Sequence, residues 1–286
     1  MGFRLLILGA NGLLGSNLLR YFSSRADIEV YGTVRSSHSL QKLPKEVCSR
    51  VEINVNAENP DHLLKVFSDV CPNVVVNCIG IVKQLSEADD PLTAIPVNSL
   101  LPHRIAKLCS AVGARLIHLS TDCVFSGSKG CYLESDLPDA SDLYGRSKLM
   151  GEVDYPNVVT LRTSLIGHEL DGSRSLVNWF LSQQESVMGF TKAFFSGLPT
   201  VEIARVIEQY VMLNPNLQGL YHLSADPISK HDLLVLIRDI YGKQIEIIPD
   251  DSVLIDRSLN SSRFRKATGF APKTWPEMIQ AMHDFG

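Results

Sequence analysis

The sequence has no strong excess of charge of either sign and no long run of apolar residues. Its 27 basic and 31 acidic side chains give a formal net charge of −4 without a basic stripe, so we expect no nucleic-acid partner. No apolar run approaches the length that spans a membrane, so we expect no membrane partner. The apolar start MGFRLLILGANGLLG is interrupted by glycine and asparagine and has no small-residue cleavage site, which is untypical of a signal peptide. Together these absences predict a cytoplasmic location.

The sequence also lacks the spacings typical of metal-binding and disulfide-rich proteins. None of the six cysteines forms a C-x-x-C pair, and the eight histidines include no H-E-x-x-H motif, so no metal site is predicted. A disulfide framework is typical of smaller, secreted chains, and we therefore expect reduced thiols. His118 lies inside the apolar run RLIHLS and is interpreted as a packed residue.

What the sequence does contain is a regular alternation of short apolar runs and helical patterns. With 286 residues, of which 45% are hydrophobic, the chain can bury a sizeable core. Strands that are apolar on both sides and alternate with helices indicate a parallel sheet covered by helices. The predicted fold is therefore α/β, a Rossmann-type doubly wound parallel sheet. Strands are predicted at 3–8, 28–34, 73–79, 115–120 and 158–162, and helices at 13–22, 61–70, 102–112 and 144–153.

A glycine-rich stretch, GANGLLG, follows the first predicted strand and opens the first predicted helix. Gly9, Gly12 and Gly15 thus stand in the context that a dinucleotide-binding loop requires. Glycine lets the backbone approach a pyrophosphate, and the helix N-terminus offers unpaired N–H groups and a partial positive charge. The spacing is one residue longer than the usual Rossmann fingerprint, and a tight turn without a ligand would show the same glycines.

The residue that follows the second predicted strand bears on the choice of dinucleotide. A site selective for NADH usually has an acidic residue there, for the ribose 2′-hydroxyl. This sequence reads YGTVRSS, with Arg35 and no acid. An arginine can pair with a 2′-phosphate, which favours NADPH, with NADH as the alternative.

The alternation of strands and helices becomes less regular after about residue 165. Predicted elements are shorter there, and Gly, Ser, Phe and Trp are more frequent. We therefore predict a dinucleotide-binding domain over 1–165 and a smaller C-terminal α/β substrate domain over 166–286. An amphipathic helix over 199–213, with Pro199 near its start, could pack back on the first domain.

Tyr144 and Lys148, in the stretch LYGRSKL, share one face of a predicted helix because residues i and i+4 are neighbours there. A free phenol has a pKa of about 10, so an acid that works at neutral pH needs a pKa lower by about 3, or about 4 kcal/mol. One ammonium about 4 Å away supplies about that at an effective dielectric constant of about 20. The spacing therefore favours a tuned acid, although a solvated surface pair would show the same pattern.

Several motifs together resemble the extended short-chain dehydrogenases/reductases, and more closely the dTDP-4-dehydrorhamnose reductase group. They are GxxGxxG, NCIG after a central strand, STDCVFSG (120–127), YLESD (132–136), YGRSKLMGE (144–152), LRTS (161–164), GLPT (197–200) and the tail DRSLNSSRFRKATGFAPKTW (256–275). The resemblance covers almost the whole chain. It implies reduction, with NAD(P)H, of the 4-keto group of a nucleotide-activated 6-deoxy sugar, in the synthesis of cell-surface polysaccharide precursors.

The resemblance also implies roles for individual residues. Tyr144 would donate the proton, Lys148 would lower the pKa of Tyr144 and hold the nicotinamide ribose, and Thr121 would bind the substrate oxygen. Asn98 resembles the family asparagine that supports the active-site helix. The predicted cofactor-binding residues are Gly9, Asn11, Gly12, Leu13, Leu14, Gly15, Arg35, Asn77, Cys78, Ile79, Gly80, Asn98, Tyr144, Lys148 and Arg162.

On the substrate side, the charged diphosphate of a nucleotide sugar needs cationic partners. The predicted substrate-binding residues are Lys83, Thr121, Asp122, Arg174 and Arg257, and Arg263 is a further candidate. The related 4,6-dehydratases have Thr-Asp-Glu where this chain has Thr-Asp-Cys. Because a thiol is a poor substitute for the second acid, dehydration is disfavoured, and Cys123 is interpreted as a packed thiol.

Two other functions remain open on the sequence alone. The methionine adenosyltransferase beta subunit resembles the same reductase group, which allows a non-catalytic regulatory subunit. A nucleotide-sugar 4-epimerase on the same fold is the other alternative. The nucleotide, dTDP or UDP, is not determined, and a homodimer is possible.

Overall fold

In the computed structural model, which describes residues 2–286, seven parallel strands form the central sheet. The strands of the protein are β1 (Phe3–Leu8), β2 (Ile28–Thr33), β3 (Val51–Glu52), β4 (Val74–Asn77), β5 (Arg115–Thr121), β6 (Val158–Thr163), β7 (Leu165–Ile166), β8 (Ser186–Phe190), β9 (Ala193–Phe195), β10 (Leu198–Pro199), β11 (Gly219–His222), β12 (Ile228–Ser229), β13 (Glu246–Asp250) and β14 (Ile255–Asp256). The α-helices are α1 (Leu13–Ser23), α2 (Ser37–Gln41), α3 (Pro60–Val70), α4 (Pro91–Ala94), α5 (Leu101–Val112), α6 (Leu143–Met150), α7 (Leu176–Ser182), α8 (Thr200–Val206), α9 (Lys230–Ile240), α10 (Ser262–Thr268) and α11 (Trp275–Phe285).

The strand order of the central sheet is β3-β2-β1-β4-β5-β6-β11. The chain therefore leaves β1 first towards one edge of the sheet and then, from β4 onward, towards the other. In sheets of this kind, ligands bind beyond the carboxyl ends of the strands where the direction reverses. The predicted doubly wound Rossmann-type fold is confirmed, and it places the cleft between β1 and β4.

Two apolar layers cover the sheet. On one face, Leu5 and Ile7 of β1 pack with residues of α1 and α8; on the other, Leu6 and Leu8 pack with residues of α3 and α5. Alternate residues of β1 thus enter opposite cores, because side chains alternate across a strand. This explains why the strands of this sheet are continuous apolar runs in the sequence.

The chain after β6 forms smaller sheets around a third apolar cluster. Strand β8 pairs with β13, β9 pairs with β12 and β14, and β7 pairs with β10, while α7, α9 and α11 contribute buried side chains. The division at residue 165 remains a prediction, but this part of the chain also returns to the first sheet. The strand β11, which sequence analysis missed, pairs in parallel with β6, and α8 packs against α1.

Several predicted elements are shorter in the structure. The strand predicted at 73–79 ends at Asn77, whose side-chain oxygen accepts a hydrogen bond from the amide of Ile79 and so turns the chain out of the sheet. The helix predicted at 144–153 is α6, which ends at Met150, with Gly151 as its C-cap. The helix predicted at 199–213 is α8 followed by a π-helical turn, Ile207–Val211.

Three further observations concern membranes, metals and thiols. None of the helices within residues 2–286 is both long and apolar enough to cross a membrane. No group of three or more His, Cys, Asp or Glu side chains in the same range could hold a metal ion. All six cysteines are free thiols.

Candidate active site

The glycine loop lies at the cleft between β1 and β4. Gly9 has a φ of +82°, and a side chain there would come within 3.0 Å of Ile79, in the loop after β4. A Cβ atom on Gly15 would collide with the carbonyl oxygen of Gly9, so α1 starts as close to β1 as the backbone allows. Gly12 is exposed at the N-cap of α1, where its N–H and those that follow can face a pyrophosphate. This cradle fits a dinucleotide.

Other residues predicted to line the cofactor lie either at the start of α1 or at and just after the end of β4. Asn11 is exposed beside Gly12, Leu13 is partly buried and Leu14 is buried in the first turn of α1, so Leu14 belongs to the core. Asn77 is buried at the end of β4 and contacts His118 at 3.2 Å. Cys78, Ile79 and Gly80 follow it along the mouth of the cleft, all partly buried.

A segment from the second half of the chain reaches back to this end of the sheet. The carbonyl oxygen of His168 accepts a hydrogen bond from Asn17 of α1 at 3.2 Å. Asp171 forms an ion pair of 2.6 Å with Lys42, just after α2. Residues 168–171 therefore contact the helices that follow both β1 and β2.

The charges of Arg35 and Arg174 both act on the carboxylate of Glu87. The backbone amide of Glu87 and the hydroxyl of Ser86 lower the pKa of Glu87, and the charges of Arg174 and Arg35 lower it further. Arg35 and Arg174 are both exposed. Arg174 was predicted to bind substrate, and that assignment stays a prediction; its charge acts on the same carboxylate as the charge of Arg35.

Asn98 connects the loop after β4 to the helix that carries Tyr144. It lies in a π-helical turn, Ile95–Leu100, between α4 and α5. Its side chain accepts a hydrogen bond from the amide of Ile81 at 2.9 Å and donates one to the hydroxyl of Ser147 on α6 at 3.2 Å. A π-helical turn of this kind is often found at a functional site, and here it supports α6 as the family resemblance implied.

Thr121, Tyr144 and Lys148 are brought together at the end of β5. Asp142 caps the N-terminus of α6 by accepting a hydrogen bond from the amide of Gly145 at 2.7 Å. Gly145 has no side chain to separate α6 from the carbonyl oxygen of Cys123. The helix therefore lies directly against the turn that follows Thr121.

The structure corrects the electrostatic expectation for Tyr144. Burial raises the pKa of the phenol well above its ordinary value, the nearby Cys123 and Asp122 raise it further, and a hydrogen bond with Thr121 works in the opposite direction. Lys148 was expected to lower this pKa, but its ammonium donates to the carbonyl oxygen of Leu119 at 2.8 Å. The phenol therefore keeps its proton at neutral pH.

Lys148 is itself strongly affected by its position. Its side chain is only 6% exposed, and burial lowers its pKa to about 8, while Glu152 works in the opposite direction. Burial disfavours the charged form of an amine. The ammonium is therefore charged at neutral pH, but with little margin.

Arg162 does not fit its predicted role as a cofactor ligand. Its Nε and Nη2 atoms each donate to Glu152 at 2.7 Å, and its Nη1 atom lies 3.3 Å from His222. The side chain of Arg162 is 3% exposed. Its donors are directed at protein groups beneath the site, and the sequence could not show this because the partners lie on other elements.

The predicted substrate-binding residues Asp122 and Arg257 lie beside Thr121 and Cys123. Burial raises the pKa of Asp122, whereas Arg257 lowers it. Burial also raises the pKa of Cys123 to about 11, so at neutral pH it is a protonated, weakly nucleophilic thiol. Arg257 donates from Nε to the carbonyl oxygen of Phe125 at 2.8 Å, which leaves its other nitrogens for a ligand.

The two remaining cationic candidates occupy different places. Lys83 forms an ion pair of 2.7 Å with Asp142 at the start of α6, so it borders the site. Arg263 lies over the ring of Tyr221, 4.7 Å from its centroid, against strand β11. The structure therefore does not bring Arg263 to Tyr144.

Sequence reasoning missed three polar residues that support the site: Ser120, Asp142 and Glu152. Glu152 could have been recognised from its position, because the four-residue interval between Tyr144 and Lys148 is repeated between Lys148 and Glu152. Asp142 could have been recognised as an N-cap residue just before the helix. Nothing local marks Ser120, whose partner is 32 residues away.

Comparison with protein families gives one match that covers nearly the whole chain. Residues 3–284 match the model described as "RmlD substrate binding domain". Among curated relatives, the probable low-salt glycan biosynthesis reductase Agl14 of Haloferax volcanii is 26% identical over 272 residues, 91% of this chain and 85% of the relative. Methionine adenosyltransferase 2 subunit beta of Bos taurus is 26% identical over 260 residues, 84% of this chain and 72% of the relative.

A solved structure shares the fold over its whole length. The dTDP-4-dehydrorhamnose reductase of Bacillus anthracis, in complex with NADP, superposes with a TM-score of 0.80 at 19% identity, covering 99% of both chains. At this identity the similarity supports the fold.

Proposed function

Because the chain belongs to the family of the RmlD substrate binding domain, we propose that it is a reductase that uses NADPH to reduce the 4-keto group of a nucleotide-activated 6-deoxy sugar. The observation that carries the proposal is the meeting of Thr121, Tyr144 and Lys148 beside a glycine cradle. Similarity to the probable low-salt glycan biosynthesis reductase Agl14 supports a role in making sugar precursors for a glycan.

The protein groups can carry out the proton part of such a reduction. When bound in the cradle, the dinucleotide would supply a hydride to the carbonyl carbon. The hydroxyl of Thr121 would orient the carbonyl oxygen, and Tyr144 would donate its proton to that oxygen as the alcohol forms. The raised pKa of Tyr144 keeps this proton in place until then, and the charge of Lys148 would stabilise the phenolate that results.

The charges around the cleft support the choice of NADPH and of a diphosphate-containing substrate. The charges of Arg35 and Arg174 both act on Glu87, and an arginine at either position could pair with a 2′-phosphate. Arg257 and Lys83 border the other end of the site and would bind the diphosphate of the sugar nucleotide.

The test is the loss of NADPH absorbance with a panel of dTDP- and UDP-linked 4-keto-6-deoxy sugars. We expect turnover of at least one of them. Tyr144→Phe should lower kcat by about 10²- to 10⁴-fold, the usual contribution of a positioned acid, while NADPH binding is kept. Tyr210→Phe is the matched control, because this partly buried tyrosine packs on Phe270 far from the cleft.

Two outcomes would contradict the proposal. One is that the wild-type protein, loaded with NADPH, reduces none of the sugars. The other is equal turnover by Tyr144→Phe and the wild type. Interconversion of C4 epimers with no net change in NADPH would show a 4-epimerase.

The second candidate function is that of a regulatory subunit. It is favoured by the similarity to methionine adenosyltransferase 2 subunit beta. Recovery of a stoichiometric partner enzyme together with absence of turnover would support it. Retention of turnover by the isolated chain would contradict it.

A further inference from the structure

A buried polar network lies beneath Lys148 and is not used by the proposed chemistry. Its centre is the carboxylate of Glu152, whose side chain is 10% exposed. Two bonds of 2.7 Å from Arg162 and a third of 2.7 Å from the hydroxyl of Ser120 end on its oxygens. Three donors on one buried carboxylate form a well-satisfied site for a negative charge.

The network continues to the edge strand of the sheet. Arg162 donates from Nη1 towards Nε2 of His222 at 3.3 Å, and the other ring nitrogen of His222 lies 3.0 Å from the carbonyl oxygen of Tyr132. Burial lowers the pKa of His222 to about 4, so this ring is neutral above pH 6. The bonds therefore fix a tautomer in which Nδ1 carries the hydrogen.

Glu152 and Lys148 attach the end of α6 to consecutive residues of β5. Lys148 bonds to the carbonyl oxygen of Leu119, and Glu152 accepts from the side chain of Ser120. The next residue along the strand is Thr121, which meets Tyr144. A change at Glu152 would therefore act on the lysine first and on the reacting groups through it.

The charges around Lys148 show why the carboxylate matters there. Glu152 favours the protonated form of the lysine, whereas Cys78, whose pKa is raised to about 12 by burial, is an uncharged thiol in the range where Lys148 titrates. His118, on β5, is a neutral neighbour whose own pKa is lowered well below its ordinary value by burial and by Lys148. Arg162 adds a second buried cation on the far side of Glu152.

We propose that Glu152 is a positioning residue for Lys148: bound to Ser120 of β5 and Arg162 of β6, it anchors the end of α6 to the sheet and holds a negative charge next to the strand residue that accepts from the buried ammonium. This inference rests on the proposed reductase function for its catalytic meaning. Arg162, on this view, serves as the counter-ion of Glu152 and contacts neither cofactor nor substrate.

The experiment measures the titration of Lys148 directly, between pH 6.5 and 10, where His222 and His118 stay neutral. Full-length protein is labelled with [ε-¹³C]lysine, and the resonance that disappears in Lys148→Met is assigned to this residue. In Glu152→Gln, which keeps the shape but loses the charge, we expect the midpoint to fall by about one pH unit or more, a tenfold change in proton affinity. Glu152→Asp should restore part of the loss.

Arg162→Met provides a change of opposite sign and a safeguard should Glu152→Gln fail to fold. With its counter-ion removed, the carboxylate acts on Lys148 alone, and the midpoint should rise. Glu208→Gln is the matched control, because Glu208, in the π-helical turn after α8, also pairs with an arginine, Arg25 at 2.6 Å, which follows α1. It should leave the midpoint unchanged.

Turnover provides the second measurement. If the proposed reduction is observed, Glu152→Gln should lower kcat about tenfold at pH 8 and much less at pH 6.5. The reason is that Lys148 of the variant, with its lower pKa, is mostly deprotonated at pH 8 but still mostly protonated at pH 6.5. If no sugar is reduced, the proposed function fails while the NMR titration still decides the role of Glu152. The inference is wrong if the midpoint of Lys148 is the same in folded Glu152→Gln and wild type, or if Glu152→Gln and Arg162→Met shift it in the same direction.

Discussion

Lys83 and Asp142 form an ion pair of 2.7 Å that joins the loop after β4 to the first turn of α6. Burial of Asp142 works against its charge, yet the hydrogen bonds from Lys83 and from the amide of Gly145 lower its pKa. The cofactor side of the cleft and the helix that carries Tyr144 are therefore held by one carboxylate.

The two partners of this ion pair should contribute differently to stability and to substrate binding. Asp142→Ala removes the N-cap of α6 and should lower the free energy of unfolding by about 0.5–2 kcal/mol. Lys83→Met removes a largely exposed ion pair and should change it by less than about 1 kcal/mol, while raising the KM for the sugar nucleotide if Lys83 binds its diphosphate. Urea denaturation and steady-state kinetics measure the two effects.

Lys65→Met is the control for Lys83→Met, because Lys65 pairs with Asp69 on the surface of α3. It should affect neither stability nor KM. An unchanged KM in Lys83→Met would remove Lys83 from the substrate site.

Substitution of Gly12 should affect cofactor binding, whereas substitution of Gly15 should affect folding. A side chain at Gly12 would meet the carbonyl oxygen of Gly9 at 3.5 Å, an ordinary contact. Gly12→Ala should therefore fold normally but weaken NADPH binding, because the methyl group stands where a pyrophosphate approaches. Gly15→Ala forces the backbone of α1 away from the carbonyl oxygen of Gly9. It should therefore lower the free energy of unfolding by about 1–3 kcal/mol, as overpacking does.

Isothermal titration calorimetry and thermal denaturation measure these two variants. Gly113→Ala is unsuitable as a control, because its φ of +74° disfavours a side chain. Ser110→Ala on the exposed side of α5 is suitable. Wild-type affinity for NADPH in Gly12→Ala would contradict the placement of the pyrophosphate.

Arg35 and Arg174 should determine the preference for NADPH over NADH. A charge-assisted hydrogen bond contributes about 1.5–3 kcal/mol, so Arg35→Gln should weaken NADPH binding about 10- to 100-fold and leave NADH binding nearly unchanged. Arg174→Gln should act in the same direction, since the charge of Arg174 acts on the same carboxylate as the charge of Arg35. Fluorescence titration with both dinucleotides measures the ratio.

Arg104→Gln, an exposed arginine on α5, serves as the control for general charge effects on binding. If Arg174→Gln instead weakens binding of the sugar nucleotide alone, the original assignment of Arg174 to the substrate is correct. Equal loss of both dinucleotides in Arg35→Gln would show that no 2′-phosphate lies there.

Lys148 should make the protein less stable at neutral pH than at alkaline pH. Its pKa is lowered to about 8 in the folded state, below the value of about 10.4 in an unfolded chain. The unfolded state therefore binds more protons between these two pH values, and stability rises with pH across that window. Below pH 8, the buried ammonium therefore lowers the free energy of unfolding by about 3 kcal/mol.

Lys148→Met removes that penalty, so the variant should be more stable than the wild type at pH 7 and should lose this advantage by about pH 10. Urea denaturation at several pH values measures the difference. The comparison is needed because Cys78 and Cys123, whose pKa values are raised to about 12 and about 11, give the opposite pH dependence in both proteins. A variant that is less stable at every pH would contradict the buried-charge account.

Local spacing in the sequence alone was enough to predict the central sheet and several candidate site residues of this protein. The alternation of apolar runs and helices predicted the doubly wound sheet, because each strand buried on both sides must be a continuous apolar run. The glycine loop after β1 and the four-residue interval between Tyr144 and Lys148 are local signals of the same kind. Each depends on the geometry of one turn or one helix.

Only the tertiary structure decided how these groups are charged and held. The pKa values of Tyr144 and Lys148 depend on burial, which exists only when α6 lies on the sheet, and burial outweighed the neighbour effect that spacing suggested. Glu152 joins Ser120 and Arg162 from two strands, and β11 comes from the far part of the chain. Contacts between distant segments, and the desolvation that follows from them, have no pattern in a single stretch of sequence, so packing alone determines them.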